Sequence, residues 1–126
     1  ALQLGADCPF FIDNTPKYAQ GVGEKMMGVD LDLSAYELKF IFPGLHISTA
    51  EAYGDITPKT PETTLLNLIN KPIENWKKTV KNDFEVSAFL KHPHLKKMKE
   101  KLYADGAIYA SMSGSGSVLY GVFNSF

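Results

Sequence analysis

The chain has 126 residues, of which 44% are hydrophobic and 21% charged, and its formal net charge is −1 at pH 7. This length suits one ordinary domain with its own core, and the near-neutral charge gives no bulk reason to expect nucleic-acid or membrane binding. The single cysteine, Cys8, cannot form an internal disulfide, and there is neither a signal-peptide pattern nor an apolar run long enough to span a bilayer. We expect a cytoplasmic protein.

Both ends of the chain look like internal positions of a longer protein. The sequence opens without Met at "ALQLGAD", which is typical of the last turn of a helix, and stops at "VLYGVFNSF", just after an alternating apolar segment. We therefore expect a piece of a larger protein.

An aspartate stands within an apolar stretch near the start of the chain. Asp7 lies in "LGADCPFFI", and the nearest cationic residue along the sequence is Lys17. Because an unpaired buried carboxylate costs roughly several kcal/mol, Asp7 either lies exposed at a turn, which Pro9 favours, or reaches into a site whose partner comes from another segment. Local sequence leaves both alternatives open.

Apolar segments and turn residues predict strands in the first third of the chain. Residues 10–12 and 18–22 flank the turn-forming "DNTPK" and are expected to pair as a hairpin. Alternating apolar and polar residues predict a strand over residues 36–42, which ends at a Pro-Gly pair.

Helix-start signals follow in the middle of the chain. Ser48 and Glu51 form a capping box for a short helix that ends at Gly54, and Thr60 with Pro61 predict the cap and first position of a helix reaching about residue 69. The segment "KPIENWKKTV" predicts a further short helix after its proline.

Two helices and a hairpin are predicted for the rest. Asn82 and Glu85 repeat the capping spacing and predict a helix over residues 83–90. The segment "HPHLKKMKEKLYADG" predicts another, whose apolar face carries Leu95, Met98 and Leu102. Strands are predicted over residues 107–112 and 117–123, joined by a Ser-Gly turn. The order strands, helices, strands predicts an α+β fold with an antiparallel sheet and helices packed on one side.

Few local patterns carry chemistry by themselves. The "SGSGS" segment offers backbone amides to an anion, but a tight hairpin turn uses the same residues. Tyr53 is either an exposed stacking platform or a core residue. The lysine run around His92 and His94 is expected to be the solvated face of a helix, and these histidines lack a third ligand, so no metal site is predicted.

Five blocks of the sequence, taken together, resemble the second half of the 4-diphosphocytidyl-2-C-methyl-D-erythritol kinases, a family of the GHMP kinase superfamily. The blocks are "LGADCPFFI", "YAQGVGEK", "PGLHISTAEAY", "NDFE" and "GAIYASMSGSGSVLYGVF". They occur in the family's order over nearly the whole chain. The resemblance implies that residues 1–33 are the tail of an N-terminal, ATP-binding catalytic domain and residues 34–126 a truncated, ferredoxin-like GHMP kinase C-terminal domain.

The same resemblance implies roles for individual residues. Asp7 matches the aspartate that faces the acceptor hydroxyl, and Val22, Thr49 and Tyr53 match residues of the cytidine pocket, where Tyr53 stacks on the cytosine. Four residues match a glycine-rich block that supports the active site: Ser113, Gly114, Ser115 and Gly116. The "NDFE" block is interpreted as the helix cap.

The implied reaction transfers the γ-phosphoryl of ATP, with Mg²⁺, to the 2-hydroxyl of 4-diphosphocytidyl-2-C-methyl-D-erythritol, in non-mevalonate isoprenoid biosynthesis. The family's lysine beside the catalytic aspartate and its phosphate-binding loop belong to an N-terminal domain that this sequence lacks. The chain alone is therefore expected to be inactive, and ATP and Mg²⁺ are expected as cofactors of the full-length protein. Two alternatives stay open: a non-catalytic ferredoxin-like binding module, and a GHMP kinase for another small alcohol.

Overall fold

The computed structural model describes residues 15–20, 25–57 and 62–125. The chain forms two compact units, Ala1–Asp32 and Leu33–Phe126. Asp7, Val22 and the predicted strand over residues 10–12 lie outside the described residues. The assignment of the first unit to an ATP-binding domain stays a prediction.

The described part of the first unit is an antiparallel hairpin. Strand β1 (Lys17–Gln20) pairs with β2 (Lys25–Gly28), with Tyr18 opposite Met27. The sequence predicted β1 but not β2. The segment "GVGEKMMG" is rich in glycine, and its apolar run is too short to give a clear alternation of apolar and polar residues.

The second unit contains the antiparallel three-stranded sheet that the strand patterns predicted. Strand β3 (Tyr36–Ile41) pairs with β5 (Leu119–Asn124), which also pairs with β4 (Tyr109–Met112), so the order is β3-β5-β4. Residues 119–122 of β5 have partners on both sides, and Val122, for example, lies opposite both Leu38 and Tyr109.

The helices of this unit lie between β3 and β4 in the chain. They are α1 (Thr49–Gly54), α2 (Leu65–Ile69), a 3₁₀ turn (Ile73–Asn75), α3 (Trp76–Thr79), α4 (Glu85–Lys91) and α5 (Pro93–Ala104). Among the described residues, no helix is long and apolar enough to cross a membrane.

The core lies between α5 and one face of the sheet. Leu95 and Leu102 of α5 are buried, as their spacing predicted, and pack in one cluster with Ala110, Met112, Leu119 and Phe123 of the sheet. Gly121 allows this contact, because a Cβ there would lie 3.2 Å from Leu102 Cδ2 and 2.9 Å from Phe123 Cε2. The antiparallel sheet with packed helices confirms the predicted α+β fold.

Two helix starts differ from the predicted ones. Helix α2 begins at Leu65, where the Thr64 hydroxyl accepts from the Asn67 amide at 3.3 Å, so the predicted start at Pro61 is wrong. Thr60 and Pro61 lie outside the described residues. Helix α4 has Phe84 rather than Asn82 at its N-cap, and the Asn82 side-chain oxygen accepts from the Phe84 amide at 3.0 Å.

Candidate functional site

Helix α1 presents two of the predicted substrate-binding residues to solvent. Ser48 caps the helix by accepting from the Glu51 amide at 3.0 Å, as predicted. The Glu51 carboxylate accepts from Lys91 at 3.2 Å. Thr49 is exposed at the first helical position, and Tyr53 is 63% exposed one turn later. Tyr53 is therefore not a core residue within this unit.

The Tyr53 ring rests against an aromatic partner from α4. Phe84 approaches it edge-on, with ring centroids 5.0 Å apart and an interplanar angle of 84°. This geometry is favourable for aromatic pairs and restricts where the tyrosine ring can lie.

The predicted glycine-rich block forms the turn between β4 and β5. The Ser113 amide donates to Val118 O at 2.8 Å, and the Gly116 amide donates to Ser113 O at 3.1 Å. Gly114 and Gly116 adopt φ of +55° and +100°, a region that other residues rarely occupy. Among the described residues, the amides of Gly114 and Ser115 donate no backbone hydrogen bond.

The glycine-rich turn lies directly against the segment that enters α1. A Cβ at Gly116 would lie 3.0 Å from Ile47 Cδ1, and the Ser117 hydroxyl donates to Leu45 O. Since Ile47 immediately precedes the Ser48 cap, the turn and the start of α1 are neighbours.

Asn82 connects this turn to α4, which the sequence did not reveal. Its Nδ2 donates to Met112 O and to Gly114 O, both at 2.7 Å, and its Oδ1 accepts from the Phe84 amide at 3.0 Å. Only the last contact is local. The other two span 30 and 32 residues, a separation for which a single sequence carries no signal.

Helices α1 and α4 are joined by a charged cluster. Lys91 donates to Asp55 at 2.6 Å, and the Ser87 hydroxyl donates to the same carboxylate oxygen at 2.8 Å. The hydrogen bond from Lys91, followed by that from Ser87, lowers the pKa of Asp55, and the same pairing raises the pKa of Lys91.

A buried ion pair fixes α4 against α5 and β4. Lys99 donates to both oxygens of Glu85 at 2.7 and 3.1 Å, and the Ser111 hydroxyl donates to Glu85 Oε1 at 3.3 Å. The Glu85 side chain is 9% exposed. The lysine run is therefore not only a solvated face, because Lys91, Lys99 and Lys101 all form ion pairs.

Of the predicted site residues, the structure describes Thr49 and Tyr53 on α1 and the four residues of the glycine-rich turn, and this turn contacts Ile47 at the entrance to α1. The structure says nothing of Asp7 and Val22, which fall outside its described ranges. Within those ranges no three His, Cys, Asp or Glu side chains are grouped to hold a metal ion. A site built only from these residues can stack an aromatic ring and offer amides to an anion.

Known proteins similar to this chain are kinases of one superfamily. The family model described as GHMP kinases C terminal matches residues 64–126. A protein of Parabacteroides distasonis named 4-diphosphocytidyl-2-C-methyl-D-erythritol kinase is 49% identical over 123 residues, covering 98% of this chain and 45% of the relative. A protein of Azobacteroides pseudotrichonymphae with the same name is 48% identical, covering 98% of this chain and 46% of its own length.

A solved structure shares the fold. A crystal structure titled 4-(cytidine 5'-diphospho)-2C-methyl-D-erythritol kinase matches with a TM-score of 0.81 and 30% identity, covering 96% of this chain and 45% of that one. The chain thus spans about half the length of the relatives it matches.

Proposed function

Because the chain belongs to the family GHMP kinases C terminal, we propose that the protein carrying it is an ATP-dependent kinase. Its proposed acceptor is the 2-hydroxyl of 4-diphosphocytidyl-2-C-methyl-D-erythritol, as the names of the relatives suggest. The observation that carries the proposal is the exposed ring of Tyr53 on a helix whose start adjoins the glycine-rich turn.

The cytidine end of the acceptor is assigned to the start of α1. Tyr53 would stack on the cytosine, a contact that contributes about 1–3 kcal/mol on other aromatic platforms. Thr49 is exposed one turn before it and is assigned to the same nucleoside, together with Val22. A stacking ring favours a nucleotide-containing acceptor over a small alcohol such as homoserine or mevalonate, which has no flat group to stack.

Asp7 is assigned to the reacting hydroxyl. The hydroxyl oxygen forms a bond to the γ-phosphorus of ATP while the bond from that phosphorus to ADP breaks, and the hydroxyl proton leaves toward a carboxylate. Such reactions depend mostly on positioning and charge neutralisation, with one carboxylate to orient or deprotonate the nucleophile. Asp7 fits that task as a carboxylate set in a largely apolar stretch.

ATP and Mg²⁺ are the proposed cofactors. Mg²⁺ would neutralise the phosphate charge, and the described residues contain no group of three His, Cys, Asp or Glu side chains that could hold it. The amides of Gly114 and Ser115, which donate no backbone hydrogen bond to another described residue, are assigned a supporting contact to an anionic oxygen. Most nucleotide contacts are assigned to a part of the protein outside this chain, which is also its proposed partner. A cytoplasmic location stays a prediction.

The proposal is tested by assaying the protein expressed from its natural start with ATP, Mg²⁺ and the diphosphocytidyl acceptor, beside homoserine and mevalonate. Turnover of the first acceptor alone is expected, and the folded Asp7→Asn variant should lose activity by orders of magnitude. No turnover by a folded protein would overturn the substrate assignment. Binding of the acceptor without turnover would favour the non-catalytic module.

A further inference from the structure

The segment that begins α4 touches both halves of the candidate site. Asn82 binds the glycine-rich turn, and Phe84, two residues later, contacts Tyr53 on α1. These contacts lie within one continuous stretch of three residues. A shift of this stretch therefore moves both elements.

The Asn82 side-chain amide makes three hydrogen bonds, two as donor and one as acceptor. Each of its two Nδ2 hydrogens has one carbonyl partner at 2.7 Å, and its oxygen accepts from the Phe84 amide. The amide orientation follows from this network, since the reverse orientation would place Oδ1 against two carbonyl oxygens. The side chain therefore specifies where both Gly114 and the Phe84 backbone lie.

The remainder of α4 is anchored independently of Asn82. Glu85 is held by Lys99 and Ser111, and Lys91 is held by Asp55 and Glu51. Loss of the Asn82 contacts should thus release the glycine-rich turn without detaching the helix.

We propose that Asn82 is a positioning residue that sets the glycine-rich turn and the Tyr53 platform in one mutual geometry. The expected changes in kcat and KM rest on the proposed function. Asn82 touches the turn directly and reaches Tyr53 through Phe84. Misplacement of the turn reduces kcat, and misplacement of the ring raises KM for the acceptor.

The first test compares Asn82→Asp with Asn67→Asp in the protein expressed from its natural start. Asn82→Asp keeps the acceptor for the Phe84 amide but sets a carboxylate oxygen against two carbonyls. Asn67→Asp adds the same charge at an exposed site of α2. We expect Asn82→Asp to lower kcat/KM by roughly 10- to 100-fold, because small displacements of the groups that position a substrate reduce the rate by that much. Asn67→Asp should leave kcat/KM unchanged.

A second variant separates the contact of Asn82 with the glycine-rich turn from the contact of Phe84 with Tyr53. Phe84→Leu removes the ring contact but keeps the backbone amide that Asn82 binds, so it should raise KM for the acceptor with kcat unchanged. Asn82→Asp should change both constants. Equal kinetics of Asn82→Asp and Asn67→Asp, with an active parent, would overturn the inference. If Asn82→Asp does not fold, Asn82→Ser, which keeps a donor and an acceptor, is judged by the same criterion.

A readout without turnover distinguishes this inference from the proposed function. In isotopically labelled protein, Asn82→Asp should shift the Gly114 amide and Tyr53 ring resonances together, and Asn67→Asp neither. An inactive parent protein with this paired shift would overturn the kinase assignment and retain the positional link. A shift of Gly114 alone would overturn the link.

Discussion

The ring of Phe84 meets the ring of Tyr53 edge-on, with centroids 5.0 Å apart. Phe84 is the N-cap residue of α4, and Tyr53 lies near the end of α1. The contact therefore joins two helices through residues that are 31 positions apart in the sequence. Edge-on pairs contribute about 0.5–1.5 kcal/mol beyond their buried area. The contact with Phe84 restricts the position of the exposed Tyr53 ring, on which a flat group can stack.

The Tyr53 ring, rather than its hydroxyl, is expected to bind the acceptor. Tyr53→Ala should raise KM for the diphosphocytidyl acceptor roughly 5- to 150-fold, because base stacking contributes about 1–3 kcal/mol. Tyr53→Phe keeps the ring and should change KM little. Steady-state kinetics of both variants decide this, and an equal loss in both would show that the hydroxyl is what matters.

Gly116 is expected to tolerate no side chain. Gly116→Ala combines a φ of +100° with contacts of 3.0 Å to Ile47 and Met112, so it should lower the unfolding free energy by more than about 1 kcal/mol. Gly54→Ala is the matched control, because a Cβ there meets nothing within 4 Å. That change within α1 should be neutral or stabilising by up to about 1 kcal/mol. Urea unfolding measures both, and equal effects would contradict the packing seen at Gly116.

Removing the lysine of the Glu85–Lys99 pair is expected to destabilise the fold more than removing the lysine of a surface pair on the same helix. Lys99→Met leaves the buried Glu85 carboxylate without a counter-ion and should cost about 2–3 kcal/mol. Lys101→Met breaks an exposed pair with Asp105 and should cost less than about 1 kcal/mol. Thermal unfolding of the two variants provides the comparison. A smaller loss for Lys99→Met than for Lys101→Met would refute the burial argument.

The Asp55–Lys91 pair predicts a pH dependence on the acid side. The folded state lowers the pKa of Asp55, so the unfolded state binds the proton more readily. The pair therefore stabilises the fold above the ordinary pKa of aspartate, and that contribution is lost as the pH falls through the lower folded value. In Lys91→Met the pKa of Asp55 should rise toward its ordinary value. Carboxyl NMR titration checks this, and an unchanged titration would rule out Lys91 as the main cause.

Local patterns predicted those elements whose signals are local. The alternation around Leu38 predicted β3, the Ser48 cap predicted α1, and the spacing of Leu95 and Leu102 predicted the buried face of α5. Each signal lies within a few residues of the structure that it specifies. The wrong start of α2 arose where a Thr-Pro pair competed with the true cap at Thr64, four residues later.

The sequence by itself determined the α+β class, most strands and helices, and the resemblance that points to Asp7, Val22, Thr49, Tyr53 and the glycine-rich turn. Only the tertiary structure decided that Asn82 binds Gly114, that Phe84 supports Tyr53, and that Lys99 neutralises Glu85. Two of these contacts join residues 31 or 32 positions apart, and the third joins two helices. Such partners are chosen by how helices pack on the sheet, because burial requires each polar group to find whichever partner the fold brings near it.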